Sequence, residues 1–209
     1  MIKLCGMRRS EDISYCNECM PDFIGFIFAE SKRKVSTELA RQLKSELDGR
    51  IKTVGVTVNA SIDDFKEIST TADIFQLHGD EDKYYIEALR QLYPEKEIWK
   101  AGRIRSEADI DALAKLPADK FVLDAFSAEA YGGTGKTIDG KLLGYAAEKL
   151  TKPFFIAGGI DVSNLADIIR EYSPYGVDLS SGIETDGYKD RAKMLEIMKI
   201  YNSVNMEES

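Results

Sequence analysis

Proline, cysteine and histidine are all scarce in this chain of 209 residues, and each shortage excludes something. Five prolines leave long stretches free of the breaks that proline forces on helices and central strands. Three cysteines, an odd number at irregular spacing, exclude the disulfide framework that staples small secreted domains. The single histidine, His78, excludes catalysis shared between two imidazoles. No apolar run approaches the roughly 18 residues of a membrane span, and Met1-Ile2-Lys3-Leu4-Cys5 leads into polar residues, not into a signal-peptide core. The expectation is a soluble cytoplasmic protein with free thiols. Positive charge is also short, with 28 Lys and Arg against 36 Asp and Glu and a net charge of -8. That balance opposes non-specific binding to nucleic acid or to an anionic membrane. A small anionic ligand still fits a site that is locally positive.

What is present is an alternation. Short β-rich runs exchange with longer segments of helical period, with no linker or low-complexity tract between them, so residues 1–209 read as one domain. The strand candidates are Ile2 to Leu4, Phe23 to Phe28, Thr53 to Val58, Ile74 to Leu77, Ile98 to Ala101, Phe121 to Leu123, Phe154 to Ala157 and Val177 to Leu179. Their number is the one a closed (β/α)8 barrel requires. Ser10, Ser36, Ser61 and Ser106 stand where helix N-caps belong. Leu39, Ala40, Leu43 and Leu47 recur at the spacing of one buried helical stripe. The last helix is expected from about Asp190 to Tyr201, with Ala192, Leu195, Ile197, Met198 and Tyr201 facing inward and a frayed tail from about residue 203.

The competing architecture, an open doubly wound sheet, should carry G-x-G-x-x-G after its first strand, and Cys5-Gly6-Met7-Arg8-Arg9 lacks it. Glycine-rich turns instead follow the seventh and eighth strands, at Gly158-Gly159 and Ser180-Ser181-Gly182. Those are the loops with which barrel enzymes often hold a substrate phosphate.

In a barrel the reactive groups belong at the carboxyl ends of strands. That filter retains Cys5, Arg33, Gln76, His78, Lys100, Asp124 and Asp178. Cys5 is either a buried apolar residue or a thiolate near Arg8 and Arg9. Asp124, after the apolar run Phe121-Val122-Leu123, suits a proton donor if burial keeps it neutral; the alternative is a loop cap. Arg33 fits a carboxylate clamp, or belongs to a solvated run with Lys32 and Lys34. His78 reads first as structural, and Cys16-x-x-Cys19 lacks the further ligands of a zinc site. Gly135-Lys136-Thr137 resembles the end of a Walker A loop, but Ala130 stands where its first glycine is needed.

Together these motifs resemble the phosphoribosylanthranilate isomerase family of tryptophan biosynthesis over almost the whole chain. The resemblance rests on Lys3-Leu4-Cys5-Gly6, on Gly25-Phe26-Ile27-Phe28 with Ser31-Lys32-Arg33, and on Gln76-Leu77-His78-Gly79. It continues through Leu123-Asp124, Tyr131 to Thr137, Ala157-Gly158-Gly159 and Val177 to Glu184. It implies an Amadori rearrangement of N-(5'-phosphoribosyl)anthranilate to 1-(2-carboxyphenylamino)-1-deoxyribulose 5-phosphate, without cofactor or metal. Asp124 is then the general acid and Cys5 the general base, Arg33 holds the anthranilate carboxylate, and Gly158, Gly159, Asp178, Ser181 and Gly182 bind the substrate, the amides of the glycine turns taking its phosphate. Such roles require an Asp124 pKa above and a Cys5 pKa below the usual range. Met7-Arg8 and Gly140 depart from the family, which has Thr or Lys and an aromatic residue there. The rivals are a barrel isomerase built on two aspartates, which Cys5 opposes, and a barrel that only binds a phosphorylated ligand. The expected partner is a small phosphorylated substrate, with a monomer as the default and a homodimer as the alternative.

Overall fold

β-Branched and aromatic residues dominate the short apolar runs, and these form the strands of a closed barrel. The computed structural model describes residues 1–125 and 138–207. Its strands are β1 (Ile2–Cys5), β2 (Phe23–Ile27), β3 (Lys52–Thr57), β4 (Ile74–Leu77), β5 (Glu97–Ile104), β6 (Lys120–Ala125), β7 (Phe154–Ala157) and β8 (Gly176–Leu179). They pair in chain order, all parallel, and β8 returns to β1 with Lys3 opposite Asp178. The helices are α1 (Ser10–Cys19), α2 (Thr37–Glu46), α3 (Phe65–Ile68), α4 (Lys83–Leu92), α5 (Glu107–Ala114), α6 (Gly140–Lys149), α7 (Leu165–Tyr172) and α8 (Arg191–Glu207). After β8 a 3₁₀ turn, Ser181–Ile183, leads into a small antiparallel hairpin of β9 (Glu184–Thr185) and β10 (Tyr188–Lys189). The expected (β/α)8 barrel is the fold found.

Alternate strand residues point into the barrel. At its amino end Phe23, Trp99 and Phe155 close the interior, with Trp99 stacked on Phe155 at 4.7 Å and Phe23 meeting Trp99 edge-on at 5.1 Å. That plug leaves the carboxyl end for polar groups. The opposite strand faces pack with the helices in two outer clusters, one including Leu4, Ile24, Phe26, Leu123 and Ile156 and the other Phe65, Phe75, Leu77, Ile86 and Ile98.

Several boundaries differ from expectation. β5 extends three residues beyond Ala101, to Ile104, so Lys100 is mid-strand and turned away from the barrel interior. Its ammonium bonds the carbonyls of Leu77, Gly79 and Ala101 and pairs with buried Glu81 at 3.2 Å. Ser10 is the first residue of α1, and Asp12 caps that helix by accepting the amides of Arg8 and Arg9. Ser36 and Ser61 cap as expected, each accepting an amide three residues on. α8 continues to Glu207 with Val204 buried, where a frayed tail was expected. On that helix Ala192 is exposed, and Met194 takes the inward position instead.

Candidate active site

The site begins with β1, whose two-residue period sends Lys3 and Cys5 to the same interior face. Lys3 is completely buried, and its ammonium lies 2.6 Å from Asp178 Oδ2 on the neighbouring strand. Burial opposes that positive charge, but Asp178 and Cys5 beside it hold the ammonium above the usual lysine range. Cys5 closes the strand at 7% exposure. On its other side Gly25 leaves room that a side chain would take, since a Cβ there would stand 2.6 Å from the sulfur. Burial pushes the Cys5 thiol up, against the pull of Lys3. That direction is opposite to the sequence expectation, because full enclosure outweighs the nearby cations.

Cys5, Asp124, Asp178, Gly158, Gly159 and Ser181 line one cavity of about 130 Å³ at the carboxyl end of the barrel. Arg33, Gln76, His78 and Arg103 line it too. Asp124, at the end of β6, is 6% exposed, and His78 Nε2 stands 3.3 Å from its Oδ2. Asp178 Oδ1 and Gln76 Oε1 are buried with no hydrogen-bond partner among the described residues. Such acceptors are costly to leave unsatisfied unless a ligand supplies the donor.

Arg33 follows β2 and is buried, not part of a solvated charge run. Its Nε and Nη2 donate to the two oxygens of Glu184 at 2.7 and 2.8 Å, a fork-to-fork pair that fixes the guanidinium plane. Lys189, across the hairpin, donates to Glu184 Oε1 and to the Ser180 carbonyl, both within 2.9 Å. Burial would raise the Glu184 carboxyl, but Arg33 and Lys189 bring it down to about 2. The guanidinium expected to clamp a substrate is thus already oriented by a protein carboxylate.

The phosphate-binding turns are close neighbours. Gly158 and Gly159 hold φ of 84° and 66°, which only glycine adopts freely. A Cβ on Gly158 would also stand 2.8 Å from Asp124 Oδ1. Asn164 pins this turn by donating to the Gly159 carbonyl and accepting from the Asp161 amide. Gly182 packs so tightly on the turn that a Cβ would run into the Ile160 carbonyl oxygen. Ser127 to Thr137, with the Walker-like ending, lies outside the described residues.

The structure therefore brings together every residue expected at the site except two: Gly182 packs behind it, and Lys100 is set aside on the outer face of β5. Sequence reading missed Lys3, Arg103, Glu184 and Lys189, and gave His78 a structural part. Local sequence carries no signal for Arg103, which reaches the rim because β5 runs on to Ile104 and sets it opposite Asp124. The departures are local. Met7 is buried against Cys16, Arg8 ties the Lys32 and Gly187 carbonyls together, and Gly140 starts α6 where a Cβ would meet the Tyr172 hydroxyl. Among the described residues no cluster of His, Cys, Asp and Glu could hold a metal ion, and no helix is long and apolar enough to cross a membrane.

Comparison with known proteins points the same way. The family profile described as N-(5'phosphoribosyl)anthranilate (PRA) isomerase matches residues 2–200. An N-(5'-phosphoribosyl)anthranilate isomerase of Thermoanaerobacter sp. (strain X514) is 43% identical over 195 residues, covering 92% of this chain and 93% of that one. A structure of monomers of the dimeric Thermotoga maritima enzyme superposes with a TM-score of 0.82 at 27% identity, over 97% of this chain and 98% of that one. Another isomerase of the same name, crystallised with reduced 1-(o-carboxyphenylamino)-1-deoxyribulose 5-phosphate, gives 0.81 at 27% identity over the same shares. With the profile spanning nearly all of the barrel and its rim, the chain belongs to the N-(5'-phosphoribosyl)anthranilate isomerase family, aldose-ketose isomerases of tryptophan biosynthesis.

Proposed function

We propose that this chain converts N-(5'-phosphoribosyl)anthranilate to 1-(2-carboxyphenylamino)-1-deoxyribulose 5-phosphate with Asp124 as general acid and Cys5 as general base. The observation that carries the assignment is their convergence on one cavity, flanked by an oriented guanidinium on one side and two glycine turns on the other. Asp124 gives its proton to the furanose ring oxygen as the bond from that oxygen to C1 breaks. The anilinic nitrogen lone pair forms the C=N bond of a protonated Schiff base. Cys5 then takes the C2 proton, and the released electrons form the C1=C2 bond and neutralise the nitrogen. The resulting enolamine tautomerises to the ketone. Each step moves only protons and bonding pairs already present in the substrate and the two side chains, so the chemistry calls for no cofactor or metal.

The surrounding groups divide the substrate between them. Arg33 receives the anthranilate carboxylate on the edge that Glu184 leaves open. The amides of Gly158-Gly159 and Ser181-Gly182 receive the phosphate. Asp178 Oδ1, buried without a donor, accepts a sugar hydroxyl. These cationic and amide groups make the site locally favourable to an anion in a protein of net charge -8.

The test is to generate the substrate in situ and follow the loss of its anthranilate fluorescence. Rapid loss with the purified chain, absent in Asp124→Asn, supports the assignment. No loss from folded protein overturns it in favour of a barrel that only binds. One barrel supplies the acid, the base, the guanidinium and the glycine turns, so this reading takes a monomer as the working unit. Light scattering on the eluted peak distinguishes it from a homodimer like that of the Thermotoga maritima relative. A reducing cytoplasm is the compartment in which its three free, buried cysteines persist as thiols.

A further inference from the structure

We propose that Lys3 is a positioning residue for the reaction, its ammonium held by Asp178 so that it faces the Cys5 sulfur and favours thiolate over thiol. The inference rests on the reading of Cys5 as the general base. A completely buried lysine is expensive, and one carboxylate partner would satisfy it as well on the outer face of a strand as inside the barrel. Lys3 instead occupies the interior position two residues before Cys5, on the same face of β1. Asp178 fixes it there at 2.6 Å, with its positive charge on the strand face that carries the thiol. On the β2 side the sulfur packs close to Gly25, which brings no charge.

Other charged groups face the thiol. Asp178 on β8 disfavours the thiolate, while Lys189 on β10 favours it from farther away. Arg33, after β2, acts in the same sense as Lys189, but both cations are committed to Glu184. Lys3 is therefore the cation that works against both the enclosure of the sulfur and the charge of Asp178. A merely structural lysine would stabilise the barrel without altering the acidity of the sulfur.

The experiment is the pH dependence of iodoacetamide alkylation at Cys5, read on its own peptide by mass spectrometry in the absence of substrate. Removing one partner of a buried pair leaves the other uncompensated, so Lys3→Met is accompanied by Lys3→Met with Asp178→Asn, which removes both charges. Asp178 itself disfavours the thiolate, so the double variant is read against Asp178→Asn: folded by circular dichroism, its alkylation midpoint should lie about one pH unit or more above that of Asp178→Asn. Below the midpoint that is roughly tenfold slower alkylation at a given pH. In Lys3→Met the acid limb of kcat/KM should move upward from the native one by a similar amount. A midpoint in the folded double variant within about 0.3 unit of that of Asp178→Asn would overturn the role of Lys3. Because no substrate is present, that result would leave the isomerase assignment standing. A shifted midpoint in a protein without isomerase activity would instead sink the assignment and keep the contact.

Discussion

Replacing Cys5 by alanine removes one sulfur from a nearly enclosed pocket and leaves Lys3 and Asp178 paired beneath it. We expect Cys5→Ala and Asp124→Asn each to lower kcat by about 10²- to 10⁴-fold, the usual worth of a general acid or base. Circular dichroism should be unchanged in both. Near-native turnover in either variant would contradict its role. Arg33→Ala should act differently, raising KM more than it lowers kcat, because a clamp on the carboxylate binds ground and transition states alike. Equal KM in the two proteins would remove the clamp. At this scale the sequence was readable where a residue acts from its own strand end, as Cys5, Asp124 and Asp178 do. It was unreadable where the role belongs to a pair. Nothing in the local sequence of Lys3 or Glu184 announces partners 175 and 151 positions away. The direction of the Cys5 shift was missed for the same reason, since burial is set by the whole rim.

At the scale of elements, the hairpin of β9 and β10 holds the site from outside the barrel. It carries Glu184 and Lys189, and Arg8 and Arg9 both rest on the Tyr188 ring at 4.7 Å. Its main ion pair has a clear pH signature. The Glu184 carboxyl titrates at about 2 in the folded protein, below its ordinary value of 4.5. A lowered acid stabilises the fold above its unfolded pKa and loses that contribution as pH falls toward the folded one. The melting temperature should therefore decline between about pH 4.5 and 2, and decline less in Glu184→Gln. Thermal scans across that range decide it, and parallel curves for the two proteins would argue against the pair. The turn beneath the hairpin is equally constrained. Gly182→Ala should raise KM by displacing Ser181 and the Gly158-Gly159 turn, detectable as weaker inhibition by inorganic phosphate. Strand positions were legible from apolar runs. The end of β5 was not, because Gly102 and Arg103 interrupt the β-rich run before Ile104, and the register with β6 keeps them extended.

For the whole molecule, chemistry and stability occupy opposite ends of one barrel. The plug of Phe23, Trp99 and Phe155 buries three mutually packed rings at the amino end of the barrel, away from Asp124 and the glycine turns. Trp99→Ala should cost about 3–5 kcal/mol in urea unfolding, as aromatic truncations in cores do, while kcat stays near native. A large loss of kcat with intact stability would mean that the two ends are coupled. The alternation of strands and helices was legible from end to end, because periodicity is a local property and a barrel is its repetition.

The pairing of β1 with β8 also dictates when the enzyme comes into being. Within the barrel Cys5 is made early, and Asp178, Glu184 and Lys189 follow only after most of the barrel has been made. At roughly 5–20 residues per second, the reactive thiol waits many seconds for the strand that encloses it. Throughout that interval Lys3 lacks its Asp178 partner. The catalytic centre is thus among the last parts of the molecule to be finished, and a nascent chain stalled before Gly176 carries the nucleophilic sulfur without the surroundings that make it an isomerase.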